Sequence, residues 1–351
     1  MNWLRALARV FDQKIGWHRV GFILSLTIIV VAAVVLYRKL HTINVSKVLT
    51  AMATVEYSDV AIAALYVAAG YFTLTFYDLF ALRTIGRKDV PYRVAALAGF
   101  TSYSVGHNVG ASVFTGGAVR YRIYSSWGLD AVEVAKLCFI AGLTFWLGNI
   151  TVLGFGFAYH PEAASQIDQL PPWVNRILGI AALLALAAYV AWVWRTPRVI
   201  GRQNWEVRLP NGRLTLLQIA IGIVDLTFCA LAMYMLVPGE PKLEFIDVAV
   251  IFITATLLGF ASHSPGGLGV FDATMLVALW QFDKEDLLAG LLLFRLLYYL
   301  TPFTLALILL GIREATIGLR APGTLPPPQT VEAAAPIKTE IEKQAEIGKG
   351  A

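Results

Sequence analysis

Apolar residues run along this chain in unbroken stretches rather than alternating at strand or one-sided helix spacing. Val20–Tyr37, Val60–Tyr77, Leu137–Tyr159 and Ile177–Trp194 contain no charge; Leu214–Val237 contains Asp225 alone and Leu287–Ile312 contains Arg295 alone. A hydrocarbon core of roughly 30 Å takes about 20 residues at 1.5 Å each. These six stretches therefore predict transmembrane helices.

Two further apolar stretches are interrupted. Val94–Val119 is broken by Ser104-Val105-Gly106-His107-Asn108-Val109-Gly110-Ala111-Ser112 and closes on Thr115-Gly116-Gly117. Val248–Phe282 exceeds one crossing, holds Asp272, and is broken by Ser262-His263-Ser264-Pro265-Gly266-Gly267-Leu268-Gly269. Glycine and proline at this density interrupt a helix and free backbone groups. Such backbone is tolerated at membrane depth only where protein or a water-filled cavity covers it.

Charge asymmetry decides how to count the crossings. Eight simple crossings leave lysine and arginine evenly divided between the two sides. If both broken stretches are re-entrant hairpins, Arg83, Arg87, Lys88 and Arg93 fall on the cytoplasmic side together with Arg195, Arg198, Arg202, Arg208 and Arg213, and a clear positive-inside excess results. Only the first external loop, with Arg38, Lys39 and Lys47, opposes the rule. The expectation is an all-α polytopic membrane protein of six transmembrane helices and two re-entrant hairpins, with both termini cytoplasmic.

That count exposes a repeat. Helix, helix, hairpin, helix occurs twice with opposite orientation, over about residues 20–160 and 174–313: an inverted 4+4 repeat of the kind that builds midplane substrate sites from discontinuous segments. Gly116-Gly117 and Gly266-Gly267 mark equivalent places, and an acidic helix start follows each hairpin, Asp130 to Glu133 in one half and Asp283 to Glu285 in the other.

Composition agrees with a bilayer as solvent. Of 351 residues 58% are hydrophobic and 15% charged, against about 25% charged in soluble proteins. Cys138 and Cys229 lie inside apolar runs and read as small buried hydrophobes rather than a disulfide. Residues 1–19 read as an interfacial amphipathic helix, residues 20–320 as the integral domain, and residues 321–351, rich in Pro, Ala, Glu and Lys, as a disordered cytoplasmic tail.

Charges inside the membrane are costly, so each is a candidate for function. Arg120 and Arg122 follow the first glycine pair, and a guanidinium fork suits a phosphate bidentately; snorkelling to the interface is the plainer reading. Asp272 and Arg295 are expected to neutralise each other, either structurally or as a gate, with Asp225 a second candidate partner for Arg295. An unpaired Asp225 would hold a proton or a coupling cation. His107 and His263 are placed at the hairpin tips, where they relay protons or, more plainly, satisfy open backbone; Asn108, Ser262 and Ser264 are read the same way. Pro265, Gly266, Gly267 and Gly269 shape the second tip. Scattered histidines at no ligand spacing predict no metal site, no cofactor motif is present, and the lack of a Walker A sequence excludes ATP-driven transport by this chain.

The segments Phe114-Thr115-Gly116-Gly117-Ala118-Val119-Arg120-Tyr121-Arg122 and Ser264-Pro265-Gly266-Gly267-Leu268-Gly269-Val270-Phe271-Asp272, with Arg295-Leu296-Leu297-Tyr298-Tyr299-Leu300-Thr301-Pro302 near the end, carry a family resemblance. The chain resembles the membrane domain of the lysylphosphatidylglycerol synthetase/flippase family, the membrane half of the multiple peptide resistance factor, which also includes stand-alone YbhN-like proteins. The likeness covers about residues 15–318. It implies a flippase of the bacterial inner membrane that moves a phospholipid, aminoacylated phosphatidylglycerol in the family's best-known members, and so contributes to antimicrobial peptide resistance. Two departures bear on this: no aminoacyltransferase domain is seen in these 351 residues, so an enzyme is not expected, and Asp272 stands where Glu is usual. Another glycerophospholipid or a hopanoid remains compatible. The expected partners are membrane lipids with an anionic or aminoacylated headgroup, with no nucleic acid; a homo-oligomer or a lipid-synthetic enzyme is compatible. The alternative is a non-transporting scaffold or accessory subunit of envelope-lipid biosynthesis.

Overall fold

The computed structural model describes residues 50, 53, 55–194, 198–202, 205–261 and 265–319. The expected interfacial helix, the first crossing, the tail beyond 320, and Ser262, His263 and Ser264 lie outside the described residues. The chain separates into two units, 1–311 and 312–351. The described part of the second is the end of the last helix.

Among the described residues the order of elements is α1 (Tyr57–Thr84), α2 (Tyr92–Val109), α3 (Ser112–Tyr124), α4 (Ala131–Tyr159), α5 (Pro161–Asp168), α6 (Pro172–Val193), strands β1 (Val199–Arg202) and β2 (Trp205–Arg208), α7 (Gly212–Tyr234), α8 (Phe245–Ala261), α9 (Val270–Ala278), α10 (Lys284–Phe294), a π-helical turn (Arg295–Leu300) and α11 (Thr301–Leu319). Five helices among the described residues are long and apolar enough to cross a membrane: α1, α4, α6, α7 and the continuous run from Lys284 to Thr316. These correspond to five of the six predicted crossings. Among the described residues the protein is an all-α membrane protein apart from one short hairpin.

Local chemistry sets the boundaries. Asp59 sits in the first turn of α1 and Arg83 in the last, each favoured by the helix dipole. Gly86, at φ 90°, turns the chain out of α1. A capping box opens α4: Glu133 N–H donates to Asp130 at 2.7 Å and Asp130 N–H donates to Glu133 at 3.0 Å. Asp283 caps α10 through the Glu285 amide at 2.9 Å. β1 and β2 pair antiparallel, Val199 opposite Arg208 and Arg202 opposite Trp205, in the basic segment between α6 and α7.

Both interrupted stretches are helix–break–helix units, and the first break falls inside the interruption expected between Ser104 and Ser112, toward its end and ahead of the glycine pair. The reversal falls at Gly110, at φ 85°, and Ala111, at φ 46°. Gly116 and Gly117 therefore lie inside α3, and His107 in the last turn of α2 rather than at the tip. Gly116 serves packing: a Cβ there would come within 3.1 Å of the Ser102 carbonyl on α2. Gly266, Gly267 and Gly269, by contrast, have φ of 62°, 63° and 83° and form the turn itself. The two glycine pairs look alike in sequence and do different work.

The α4–α7 contact joins the two halves of the sequence. Gly148 and Gly222 let these helices touch backbone to backbone, since a Cβ on Gly148 would lie 2.7 Å from the Gly222 Cα. Gln218 donates to Thr144 at 2.8 Å across the same seam. α6 packs on α4 and exposes Trp173, Ile177, Leu178, Ile180 and Leu184, as a lipid-facing helix would. Tyr77, Tyr124, Phe271, Phe294 and Phe303 are the largest fully buried side chains.

Candidate functional site

Among the described residues, two Arg–Asp pairs and a small cavity with several polar side chains in its wall carry the interior chemistry. The first pair joins α1 to α3. Arg120 and Tyr124 are one helical turn apart and so share a face. Arg120 Nε donates to both oxygens of Asp78, at 3.1 and 3.0 Å, and Nη2 to Oδ1 at 2.7 Å; the Tyr124 hydroxyl donates to Oδ2 at 2.8 Å. The guanidinium carbon also lies 4.7 Å from the centre of the Tyr103 ring. Asp78 is fully buried and Arg120 nearly so. A pair this deep costs about 3–5 kcal/mol to break by removing one partner, because the other charge is left uncompensated.

The second pair joins α9 to the π turn. Arg295 Nε donates to Asp272 Oδ1 at 2.9 Å, Nη2 to Oδ2 at 2.6 Å, and Nη1 to the Gly266 carbonyl at 3.1 Å. The Gly269 amide donates to Asp272 at 3.1 Å. Arg295 thus holds both the acid and the glycine turn before it, a fork-to-fork arrangement with one donor left for backbone. Phe271 and Tyr299 flank the guanidinium at 5.7 and 5.8 Å. Asp272 is the partner of Arg295, and Asp225 is not.

Arg295 opens the π turn, whose later residues are held by the first half of the chain. Pro302 has no N–H to return to the preceding turn, and the carbonyl of Tyr298, four residues earlier, takes the Tyr71 hydroxyl at 3.0 Å instead. The Tyr299 carbonyl takes Asn108 Nδ2 at 3.0 Å; the same amide group donates to the Ser104 carbonyl at 2.8 Å. Asn108 therefore closes open backbone, but on the last helix rather than only on its own segment. Side chains of the first half satisfy the interruption of the second.

An internal cavity of about 30 Å³ sits beside this junction, with Tyr103, His107, Asn149, Asp225, Cys229 and Tyr298 in its wall. That volume admits roughly one water. Asp225, midway along α7, accepts from the Tyr77 hydroxyl at 2.9 Å, and Cys229 Sγ is 4.0 Å away. The His107 ring lies 5.7 Å from Phe260 and 6.0 Å from Tyr298. A second, apolar groove of about 270 Å³ runs between α4, α6 and α8, walled by Trp146, Ile150, Phe157, Leu178 and Leu257. Asn149 borders both spaces.

Of the residues singled out from sequence, His107 and Asp225 line the small cavity, Asn108 bonds the π turn, Arg120, Asp272 and Arg295 form the two ion pairs, and Gly266 is bonded by Arg295. Arg122 is half-buried farther along α3. Sequence reasoning passed over Asp78, Tyr77, Tyr103 and Tyr124. Asp78 follows directly on the apolar run Val60–Tyr77, and Leu79-Phe80-Ala81-Leu82 continues that run beyond it, which is the signal in the sequence that Asp78 lies at membrane depth.

Two clusters lie nearer the ends of the helices. Arg87 bonds Asp89, Glu133 and the Gly128 carbonyl, tying the α1–α2 loop to the start of α4. The Arg87 hydrogen bond holds the Asp89 carboxyl below its ordinary range. At the opposite helix ends, His160, Glu244 and Asp247 bring ligand atoms within 4.8 Å of one another, with His160 Nδ1 3.2 Å from Asp247. This grouping of one imidazole and two carboxylates escaped the sequence reading because His160 and Asp247 meet only in the fold.

These features define a polytopic helical membrane protein whose interrupted helices meet at a polar centre. The chain belongs to the family described as the lysylphosphatidylglycerol synthase TM region, whose model matches residues 22–306. It is 29% identical over 277 residues to an uncharacterised protein, slr0712, of Synechocystis, covering 79% of this chain and 86% of that protein. It is 28% identical to the inner membrane protein YbhN of Escherichia coli, over 80% of this chain and 87% of that one. A phosphatidylglycerol lysyltransferase of Staphylococcus aureus is 26% identical over 85% of this chain, which spans 34% of that larger protein.

Proposed function

We propose that this chain is a flippase-like lipid translocase of the bacterial inner membrane. Its cargo is a phospholipid, with aminoacylated phosphatidylglycerol the leading candidate, and it performs no transferase chemistry itself. Membership of a family described by a phosphatidylglycerol-modifying enzyme's membrane region supports the lipid class. The six-crossing, two-hairpin inverted repeat with both termini cytoplasmic belongs to this reading. The two helix–break–helix units and one Arg–Asp pair in each half support it.

The observation that carries the proposal is the way Asp78 occupies Arg120. A carboxylate accepting a bidentate guanidinium offers the same oxygen geometry as a lipid phosphate. Arg120 is thus satisfied internally while no headgroup is present, and a phosphate can replace Asp78 on it only as the parting halves let water or a proton compensate the released carboxylate. The apolar groove between α4, α6 and α8 gives an acyl chain a lateral path, and Asn149 connects it to the polar centre. The central cavity is far smaller than a headgroup, so the conformation described is closed and transport requires the halves to part at the α4–α7 seam.

The closed centre also favours a second reading, a non-transporting scaffold for lipid-synthetic enzymes in which both ion pairs are purely structural. Reconstitution in liposomes carrying labelled phosphatidylglycerol, lysylphosphatidylglycerol or phosphatidylethanolamine separates the two. Faster loss of label to a membrane-impermeant quencher than in empty vesicles supports the translocase. Equal rates for every lipid support the scaffold.

A further inference from the structure

Asp225 is the interior acid that neither ion pair uses. It lies midway along a membrane-spanning helix, is 4% exposed, and borders the central cavity. Among the described residues no lysine or arginine reaches it: its contacts are the Tyr77 hydroxyl and the Cys229 thiol. A lone carboxylate in hydrocarbon surroundings is expensive, whereas a carboxylic acid there can keep the Tyr77 bond and donate its own hydrogen to a water.

We propose that Asp225 is a proton-carrying site, protonated in this closed conformation and exchanging its proton with water when the halves part. In loading, a hydronium O–H bond breaks and a carboxyl O–H bond forms, leaving water; release on the other side reverses this. The proposal rests on the translocase reading for its use, as the coupling step that lets a proton gradient drive lipid movement.

The surroundings fit that role. Tyr77 and Tyr71 face this region from α1, Tyr103 and His107 from α2, Cys229 from α7, and Tyr298 and Tyr299 from the π turn; α4 and α8 contribute Asn149 and Thr256, which do not titrate. Histidine is the one group here whose ordinary range lies near neutrality, which makes His107 the natural relay between water entering the cavity and Asp225. A physical line also links Asp225 to the first ion pair. Tyr77 contacts Tyr103 edge to face at 5.8 Å, Tyr103 lies under Arg120, and Tyr77's neighbour Asp78 holds Arg120. Loss of the proton from Asp225 places a second negative charge one residue's reach from the Asp78–Arg120 pair.

Infrared difference spectroscopy of the full chain in lipid, titrated with acid and base, tests the site without relying on transport. The expected result is a protonated-carboxyl stretch that is lost in Asp225→Asn and shifted in Tyr77→Phe, which removes the donor. Absence of any carboxyl band sensitive to Asp225→Asn overturns the proposal. The coupling is read in liposomes with labelled phosphatidylglycerol: an imposed proton gradient should speed translocation severalfold in wild type and leave Asp225→Asn unresponsive. An equal response in the variant, or a response to a sodium gradient and not to protons, overturns it. If no lipid moves under any condition the translocase reading fails, and the spectrum alone decides whether Asp225 carries the proton.

Discussion

Tyr77 donates its phenolic hydrogen to Asp225 at 2.9 Å, binding α1 to the middle of α7. The next residue, Asp78, faces the α3 side and holds Arg120 and Tyr124. Two adjacent residues on one helix thus fasten the first broken segment and the second half of the chain to the same turn of α1.

Replacing Asp78 by Asn leaves Arg120 buried without its counter-charge and should destabilise the protein by about 3–5 kcal/mol. The joint change Asp78→Leu with Arg120→Met should recover much of that stability while abolishing lipid movement, because an apolar pair can fill the space but cannot hold phosphate. Thermal unfolding in detergent beside the quencher assay checks both. A single variant that melts like wild type would contradict the geometry.

Asn108→Ala and Tyr71→Phe each leave a carbonyl of the π turn without its donor, at a cost of about 1–3 kcal/mol if no water replaces it. The two bonds fix neighbouring carbonyls, so the double variant should lose the π turn. Amide exchange over residues 295–305 should rise in each variant, and most in the double one.

Gly148→Val forces apart helices whose backbones touch at Gly222. Overpacking of this kind costs about 1–3 kcal/mol or more. Gly142→Ala on the same helix has nothing within 4 Å of the added carbon and should be neutral or mildly stabilising. Denaturation of the two variants side by side distinguishes close approach from a general intolerance of change in α4.

The Arg87–Asp89 bond predicts a pH response in the α1–α2 loop. Asp89 has its carboxyl lowered by Arg87 in the folded protein, so the contribution of this bond is present above the ordinary carboxylate value, about 3.9, and is lost as pH falls through the lower folded value. Limited proteolysis of residues 85–91 should be unchanged between neutral and mildly acidic pH and increase only in strong acid. Arg87→Ala should show that increased cleavage at neutral pH.

The parts of the fold governed by hydropathy were legible in sequence. The runs Val60–Tyr77, Leu137–Tyr159, Ile177–Trp194, Leu214–Val237 and Leu287–Ile312 all fall on long helices, because membrane depth makes a local demand on every residue. The Asp272–Arg295 pairing was legible for a similar reason: few charges were left inside to choose from. The first break was legible as the interruption between Ser104 and Ser112, but the role of the glycine pair after it was not. Glycine in sequence does not distinguish a residue needing positive φ, as at Gly110, from one needing room beside a neighbouring helix, as at Gly116 beside Ser102. Asp78 was missed because its partner stands 42 residues away. The β-hairpin was overlooked because the segment from Val199 to Arg208 was read only for its charge, though Val199-Ile200 and Trp205-Glu206-Val207 supply the β-branched and aromatic residues that strands favour.

The lipid assignment is tested most directly by following labelled phosphatidylglycerol and lysylphosphatidylglycerol in liposomes containing the purified chain, with an impermeant quencher outside. The account predicts that label in the inner leaflet becomes accessible faster than in empty liposomes, that one of these lipids is preferred over phosphatidylethanolamine, and that Arg120→Met with Asp78→Leu removes the difference. Rates equal to those of empty liposomes for all three lipids, from protein shown to be folded, would contradict it.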